Sequence, residues 1–215
     1  MATVIVANDL VGVGKVALTS SLPIMSACQT EVLPLPTVLL SSHTGEFENI
    51  YMRDLTDDLK GFYKQWEHLD FTVDGLVSGY FKSREELKIV GQLARDKRIA
   101  LFVDPIMGDN GRLYQGFDME YVEAMKDFCQ QADAIIPNLT EASLLTDSPY
   151  LEVGSYDKAT VDKLLRDLTK LGPRKVVLTG ISFEEGKIGL AYFDKETNKT
   201  TYLMRKSYKS HFYGS

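Results

Sequence analysis

Asp104-Pro105-Ile106-Met107-Gly108-Asp109 sets two carboxylates close together directly after an apolar run, with Tyr114 a little further on. Carboxylate oxygens suit a hard cation such as magnesium, which is commonly held by one or two carboxylates together with phosphate oxygens. Both residues also read as turn-forming aspartates. Further along, Asn138-Leu139-Thr140-Glu141 places an amide and a carboxylate at the start of a helical pattern. A helix amino terminus favours anionic phosphates, and a carboxylate there can act through metal-bound water. The same pair equally makes an ordinary capping box, and the local pattern fits either reading.

Three segments in the first half carry a different chemistry. Asn8-Asp9-Leu10-Val11-Gly12-Val13-Gly14-Lys15 reads as a strand ending in a glycine-bearing turn with a helix beyond, a favoured ligand position in open α/β sheets. A Walker phosphate loop would need glycine at position 9 and Ser or Thr at 16, where Asp9 and Val16 stand. The dinucleotide fingerprint fails at Ala17, where a third glycine belongs. Asp9 is left as a carboxylate that hydrogen-bonds a polar small molecule, or as a cap for the following helix. Ser41-Ser42-His43-Thr44-Gly45 gathers hydroxyls and an imidazole able to orient a heteroaromatic ring, although any loop is rich in Ser, Thr and Gly. Gly79-Tyr80 offers close approach and a stacking surface, or a core tyrosine. All three follow predicted strands, and that recurrence points them toward one pocket edge.

These residues need a frame. Short β-branched runs alternate with amphipathic stretches, the pattern of a mostly parallel sheet covered by helices on both faces. Strands are predicted over 3–7, 31–40, 75–78, 99–104, 134–137 and 175–179. Ser83 and Glu86 form a capping box ahead of Leu87, Val90, Leu93 and Ala94, which share one helical face. Asp118 precedes the stripe Val122, Met125, Phe128 and Cys129, and Asp157 precedes Val161, Leu164, Leu165 and Leu168. Runs at 189–193 and 200–204 flank Asp194-Lys195-Glu196-Thr197-Asn198, predicting an antiparallel hairpin.

At 215 residues and 44% hydrophobic content the chain can bury one sizeable core, so a single domain over 1–215 is expected. Its longest apolar stretch, from Val32 to Leu40, is interrupted by Pro34 and Pro36 and falls short of the roughly 20 residues of a membrane span. With no basic and apolar leader after Met1, a cytoplasmic protein is expected. Cys28 and Cys129 lack metal-ligand spacing and read as two reduced, buried thiols. A net charge of -6 opposes the broad basic surface of nucleic-acid binders, so the expected partner is a small molecule.

Taken together, these segments resemble the ribokinase superfamily, and within it the kinases of pyridoxal, pyridoxine and pyridoxamine. Asn8-Asp9-Leu10 with Gly12 and Gly14, Leu33-Pro34-Leu35-Pro36-Thr37 leading into Ser42-His43-Thr44-Gly45, and Gly79-Tyr80 resemble the vitamin-binding half. Asp104-Pro105 through Gly108-Asp109, and Asn138 through Glu141, resemble the magnesium and nucleotide half shared across the superfamily. The resemblance implies a three-layer α/β/α domain that transfers a phosphoryl group from ATP to the 5'-hydroxymethyl group of a B6 vitamer. It implies Asp9, His43, Thr44 and Tyr80 at the vitamer, Asp104, Asn138 and Thr179 at the nucleotide, and Asp109 and Glu141 at Mg2+. A homodimer is implied as well, with a monovalent cation as a further candidate. Tyr213-Gly214-Ser215 resembles the opening of the Gly-X-Gly-Asp motif, whose backbone forms an anion hole and whose aspartate removes the substrate's proton. That aspartate would follow Ser215, so residues 1–215 alone are expected to bind without turning over, and to expose apolar surface that later helices cover in relatives. Two alternatives stay open: a hydroxymethylpyrimidine kinase and a non-catalytic vitamer-binding protein.

Overall fold

Ile5, Val6 and Ala7 are consecutive and all buried. Successive strand side chains point to opposite faces, so such a run marks a strand covered on both sides. In the computed structural model, which describes residues 1–44, 47–69 and 71–208, this run lies in β1 (Ala2–Val13). The described residues divide into two compact units, Met1–Leu101 and Phe102–Tyr208.

In the first unit β1 pairs in parallel with β2 (Thr30–Ser42) along its whole length, and with β4 (Gly75–Ser78) from Val4 to Ala7. The predicted strand 75–78 is reproduced. β3 (Met52–Asp54) adds an antiparallel edge to β2. The helices are α1 (Ala17–Ala27), α2 (Thr56–Trp66) and α3 (Arg84–Lys97). α1 packs on β1 and β2, while α2 packs on β2 and α3. The predicted capping box of α3 forms, with the Ser83 hydroxyl accepting from the Glu86 N–H and the Glu86 carboxylate accepting from the Ser83 N–H. Leu87, Val90, Leu93 and Ala94 are buried as the stripe requires.

Two expectations for this unit are corrected. The Gly12 to Gly14 region does not end the strand at Ala7: β1 runs on through Val13 because β2 keeps pairing with it, Val13 lying opposite Ser42. Asp9 therefore sits inside β1, just beyond its last pairing with β4. Cys28 is exposed, since it occupies the carboxyl-terminal cap of α1 and turns away from the core; Cys129 is buried as expected.

In the second unit Phe102 and Val103, the end of β5 (Ala100–Val103), pair in parallel with β8 (Ala134–Ile135), and β8 pairs in parallel with β9 (Lys175–Ile181). β10 (Lys187–Asp194) and β11 (Lys199–Lys206) form the predicted hairpin and join β9 in antiparallel fashion. Between β5 and β8 stand a two-residue hairpin, β6 (Gly108–Asp109) with β7 (Arg112–Leu113), and helix α4 (Met119–Cys129). Helices α5 (Leu139–Thr146) and α6 (Lys158–Thr169) follow β8. Asp118 and Asp157 cap α4 and α6 through the N–H groups of Tyr121 and Thr160. The stripes behind both caps are buried. No helix among the described residues is long and apolar enough to cross a membrane.

Candidate functional site

Each unit builds its own constellation. In the first, the register between β1 and β2 slips once: Asn8 lies opposite Pro36 but Leu10 opposite Leu39, so β2 carries an extra residue beside Asp9. Bulges of this kind re-aim side chains. The Asn8 Oδ1 accepts from the Asp9 N–H at 3.0 Å and from the Tyr80 N–H at 2.8 Å. One amide thus fastens together two candidate residues from distant parts of the sequence. Gly79 makes this approach possible, because a Cβ there would collide with the Asn8 side chain. Tyr80 also packs against the buried cluster of Val11, Val38 and Leu40.

Asp9 is 8% exposed, and burial raises its pKa to about 6 against the opposing effect of its own backbone N–H. The Tyr80 hydroxyl is pushed up to about 12 by burial first, then by the negative charges of Asp9 and Glu86. His43 and Thr44 follow the end of β2, with the His43 N–H bonded to the Val13 carbonyl at 3.2 Å. That is about 13 Å of strand beyond Asp9. Gly14 holds φ of +120°, and a Cβ there would come within 2.7 Å of the His43 ring, which also meets Phe47 edge-on. The first unit therefore joins Asp9 to Tyr80 and sets His43 and Thr44 at the far end of the same strand pair. Gly45, Gly214 and Ser215 lie outside the described residues.

In the second unit the segment from Asn138 to Glu141 lashes the β6–β7 hairpin to α5. Asn138 and Glu141 form a reciprocal capping box: the Asn138 Oδ1 accepts from the Glu141 N–H at 2.9 Å, and the Glu141 Oε2 accepts from the Asn138 N–H at 2.8 Å. Asn138 Nδ2 then donates to the Gly108 carbonyl at 2.9 Å, while the Met107 N–H donates to the Glu141 Oε1 at 3.3 Å. The Gly111 N–H donates to the Thr140 hydroxyl at 2.9 Å, and Gly111 lies against the Tyr150 ring. Asp109, between Gly108 and Gly111, is held by these contacts on either side. Thr179 donates through both its N–H and its hydroxyl to the carbonyl of Pro137, the residue before Asn138, at 2.9 and 3.3 Å.

Glu141 is buried, and its pKa is raised well above the usual carboxylate range by burial, then by the neighbouring carboxylate of Asp104. Burial takes Asp104 to about 7. The Tyr114 hydroxyl rises to about 12 through burial and then the charges of Asp109, Glu141 and Asp104. Glu141 thus feels the charges of both Asp104 and Asp109, and burial favours the neutral forms of Asp104 and Glu141. Among the described residues no three His, Cys, Asp or Glu side chains gather closely enough to hold a metal unaided. A magnesium ion that keeps waters and phosphate oxygens needs only one or two protein carboxylates, which this set provides.

Sequence reasoning missed the connecting residues. Asn8, Thr140 and Tyr150 touch backbone or glycine rather than expected ligands, and their partners lie up to 72 positions away, as Asn8 and Tyr80 do.

Comparison with known proteins places this arrangement among kinases with a three-layer α/β fold and a mostly parallel central sheet. The structure matches a crystal structure of a candidate phosphomethylpyrimidine kinase from Bacteroides thetaiotaomicron with a TM-score of 0.93 and 33% identity, covering 99% of this chain and 74% of that one. A second crystal form of the Bacteroides protein contains pyridoxal. Pyridoxal kinase from Lactobacillus plantarum matches with a TM-score of 0.89 and 35% identity over 100% of this chain and 76% of its own. The chain belongs to the phosphomethylpyrimidine kinase family, whose sequence profile covers residues 55–214. A candidate pyridoxal kinase of Saccharomyces cerevisiae is 32% identical over 120 residues, 52% of this chain. That match spans only 37% of the length of the curated yeast relative.

Proposed function

We propose that these residues, as one kinase domain, bind the two substrates of a reaction that moves the γ-phosphoryl group of ATP to the 5'-hydroxymethyl oxygen of pyridoxal, pyridoxine or pyridoxamine. In that reaction the bond from the γ-phosphorus to the bridging oxygen breaks, a bond to the substrate oxygen forms, ADP leaves, and the hydroxyl proton passes to a base. The residues named below bind, orient and neutralise. Asp9 and Tyr80 hold the pyridine ring, with His43 and Thr44 contributing from the far end of the strand pair. Asp104, Asn138 and Thr179 support the phosphates. Asp109 and Glu141 would hold magnesium, which when bound neutralises charge on the phosphate oxygens. The donor set fits that ion, being hard oxygen, and because burial is the first cause of the raised pKa of Asp104 and Glu141, a cation there would favour their charged forms. A cytoplasmic homodimer belongs to the same proposal and is supported by the family resemblance alone.

The observation that carries the reading is the single Asn8 amide oxygen that accepts from the backbone N–H groups of both Asp9 and Tyr80, tying together a residue with a buried carboxyl and one with an aromatic ring. This pairing suits a flat, polar-edged heterocycle better than a sugar. The family match favours a second reading, in which the ring is hydroxymethylpyrimidine. Turnover of both alcohols by the intact protein with magnesium and ATP separates the two. The vitamer reading expects the larger kcat/KM for pyridoxal, and a larger value for hydroxymethylpyrimidine would transfer the assignment.

A further inference from the structure

Tyr80 lies in a segment, Gly79 to Ser83, that belongs to neither β4 nor α3. Backbone groups without a ladder partner must be satisfied by side chains or water. At Tyr80, Lys82 and Ser83 side chains serve. The Tyr80 N–H goes to Asn8, and the Tyr80 carbonyl accepts from the Thr37 hydroxyl at 2.7 Å. Two further N–H groups, of Lys82 and Ser83, donate to Glu86 Oε2 at 2.6 and 3.2 Å. Thr37 and Glu86 are both 0% exposed, so water cannot substitute for either.

Thr37 is the strand residue of this set. It stands in β2 between the buried Leu35 and Val38, where a valine would have the same shape and no hydroxyl to desolvate. It also lies where β2 carries its extra residue against β1. That irregularity brings its hydroxyl to a carbonyl 43 positions away. A buried hydroxyl costs free energy unless it bonds, and this one bonds to the backbone of the residue whose ring faces the proposed substrate.

We propose that Thr37 is a positioning residue for ring recognition: its hydroxyl clamps the Tyr80 carbonyl while Asn8 clamps the Tyr80 N–H, so that the aromatic ring is presented in one orientation. The assignment rests on the B6-vitamer reading of Asp9 and Tyr80. Thr37 touches no substrate in this account and acts only through Tyr80.

The test is calorimetric titration of the intact protein with pyridoxal and, separately, with magnesium and ADP. Thr37→Val keeps the shape and removes the donor, and should weaken pyridoxal about tenfold while leaving the nucleotide within about twofold. Thr37→Ser, which restores the hydroxyl, should recover pyridoxal affinity to within about twofold of the unsubstituted protein. A merely structural role would weaken both ligands together, and that result overturns the assignment. So does unchanged pyridoxal affinity in Thr37→Val, or failure of Thr37→Ser to restore it. Absence of pyridoxal binding by the unsubstituted protein is a separate outcome, which overturns the vitamer reading and this assignment with it.

Discussion

The two units hold their polar groups by contrasting means. In the first, the side chains of Asn8 and Thr37 grip the backbone of Tyr80, and two buried acids, Asp9 and Glu86, lie close enough to raise the pKa of its hydroxyl. In the second, a helix amino terminus and a reciprocal capping box restrain a hairpin bearing Asp109, and the carboxylates of Asp104 and Glu141 crowd each other. The first arrangement fixes direction, which recognition of a planar ring requires. The second concentrates negative charge that a cation can relieve, as binding of metal-chelated phosphates requires. If that contrast is right, substitutions should separate ring affinity from nucleotide affinity, and should separate both from stability.

The largest effect is expected from Glu86 and concerns stability. Its pKa rises from 4.5 to about 7, chiefly through burial. The folded state therefore holds this proton more tightly than the unfolded chain. The resulting stabilisation is complete below pH 4.5 and is lost as pH rises through 7, amounting to at most about 3 kcal/mol. Urea unfolding at pH 5 and pH 8 should show the unsubstituted protein losing more stability over that interval than Glu86→Gln, whose side chain does not titrate. Equal losses would mean that Glu86 is solvated.

Next comes Glu141→Gln, which removes charge from the second constellation. Affinity for ADP with magnesium should fall about 10- to 100-fold, with pyridoxal affinity unchanged. Gly79→Ala tests the first constellation by forcing Asn8 away from Tyr80. It should cost about 1 to 3 kcal/mol in unfolding free energy and weaken pyridoxal selectively. The smallest expected effect is that of Ser83→Ala, which removes the amino-terminal cap of α3 and should cost about 1 kcal/mol with both affinities preserved.

Much of the frame was legible in the residues themselves. Leu87, Val90, Leu93 and Ala94 announce α3 because buried helical positions recur every three to four residues, and Ser83, Asp118 and Asp157 mark helix starts by offering oxygens to free N–H groups. Met52–Asp54 and Thr56–Trp66 were not legible: the strand is three exposed residues, and Leu59 is the only buried residue of the helix. Gly12 and Gly14 misled for a physical reason. Glycine signals a turn locally, but here the glycines serve close approach, Gly12 to the Ser41 carbonyl and Gly14 to the His43 ring, within or beside a strand that continues. For the candidate site, residue types suggested which carboxylates matter. What fastens them did not show, since Asn8 and Thr37 bond to main-chain atoms of Tyr80 and any residue type at position 80 would present those atoms.

The central claim is that ring recognition resides in the Asp9 and Tyr80 constellation and phosphate recognition in the Asn138 and Glu141 constellation. Titrating the intact protein with pyridoxal and with ADP plus magnesium, then repeating both on Asp9→Ala and Asn138→Ala, tests it most directly. Asp9→Ala is expected to weaken pyridoxal at least about tenfold and to spare the nucleotide, and Asn138→Ala to do the reverse. Pyridoxal affinity that survives Asp9→Ala, or the same loss of both ligands from either single substitution, would contradict the account.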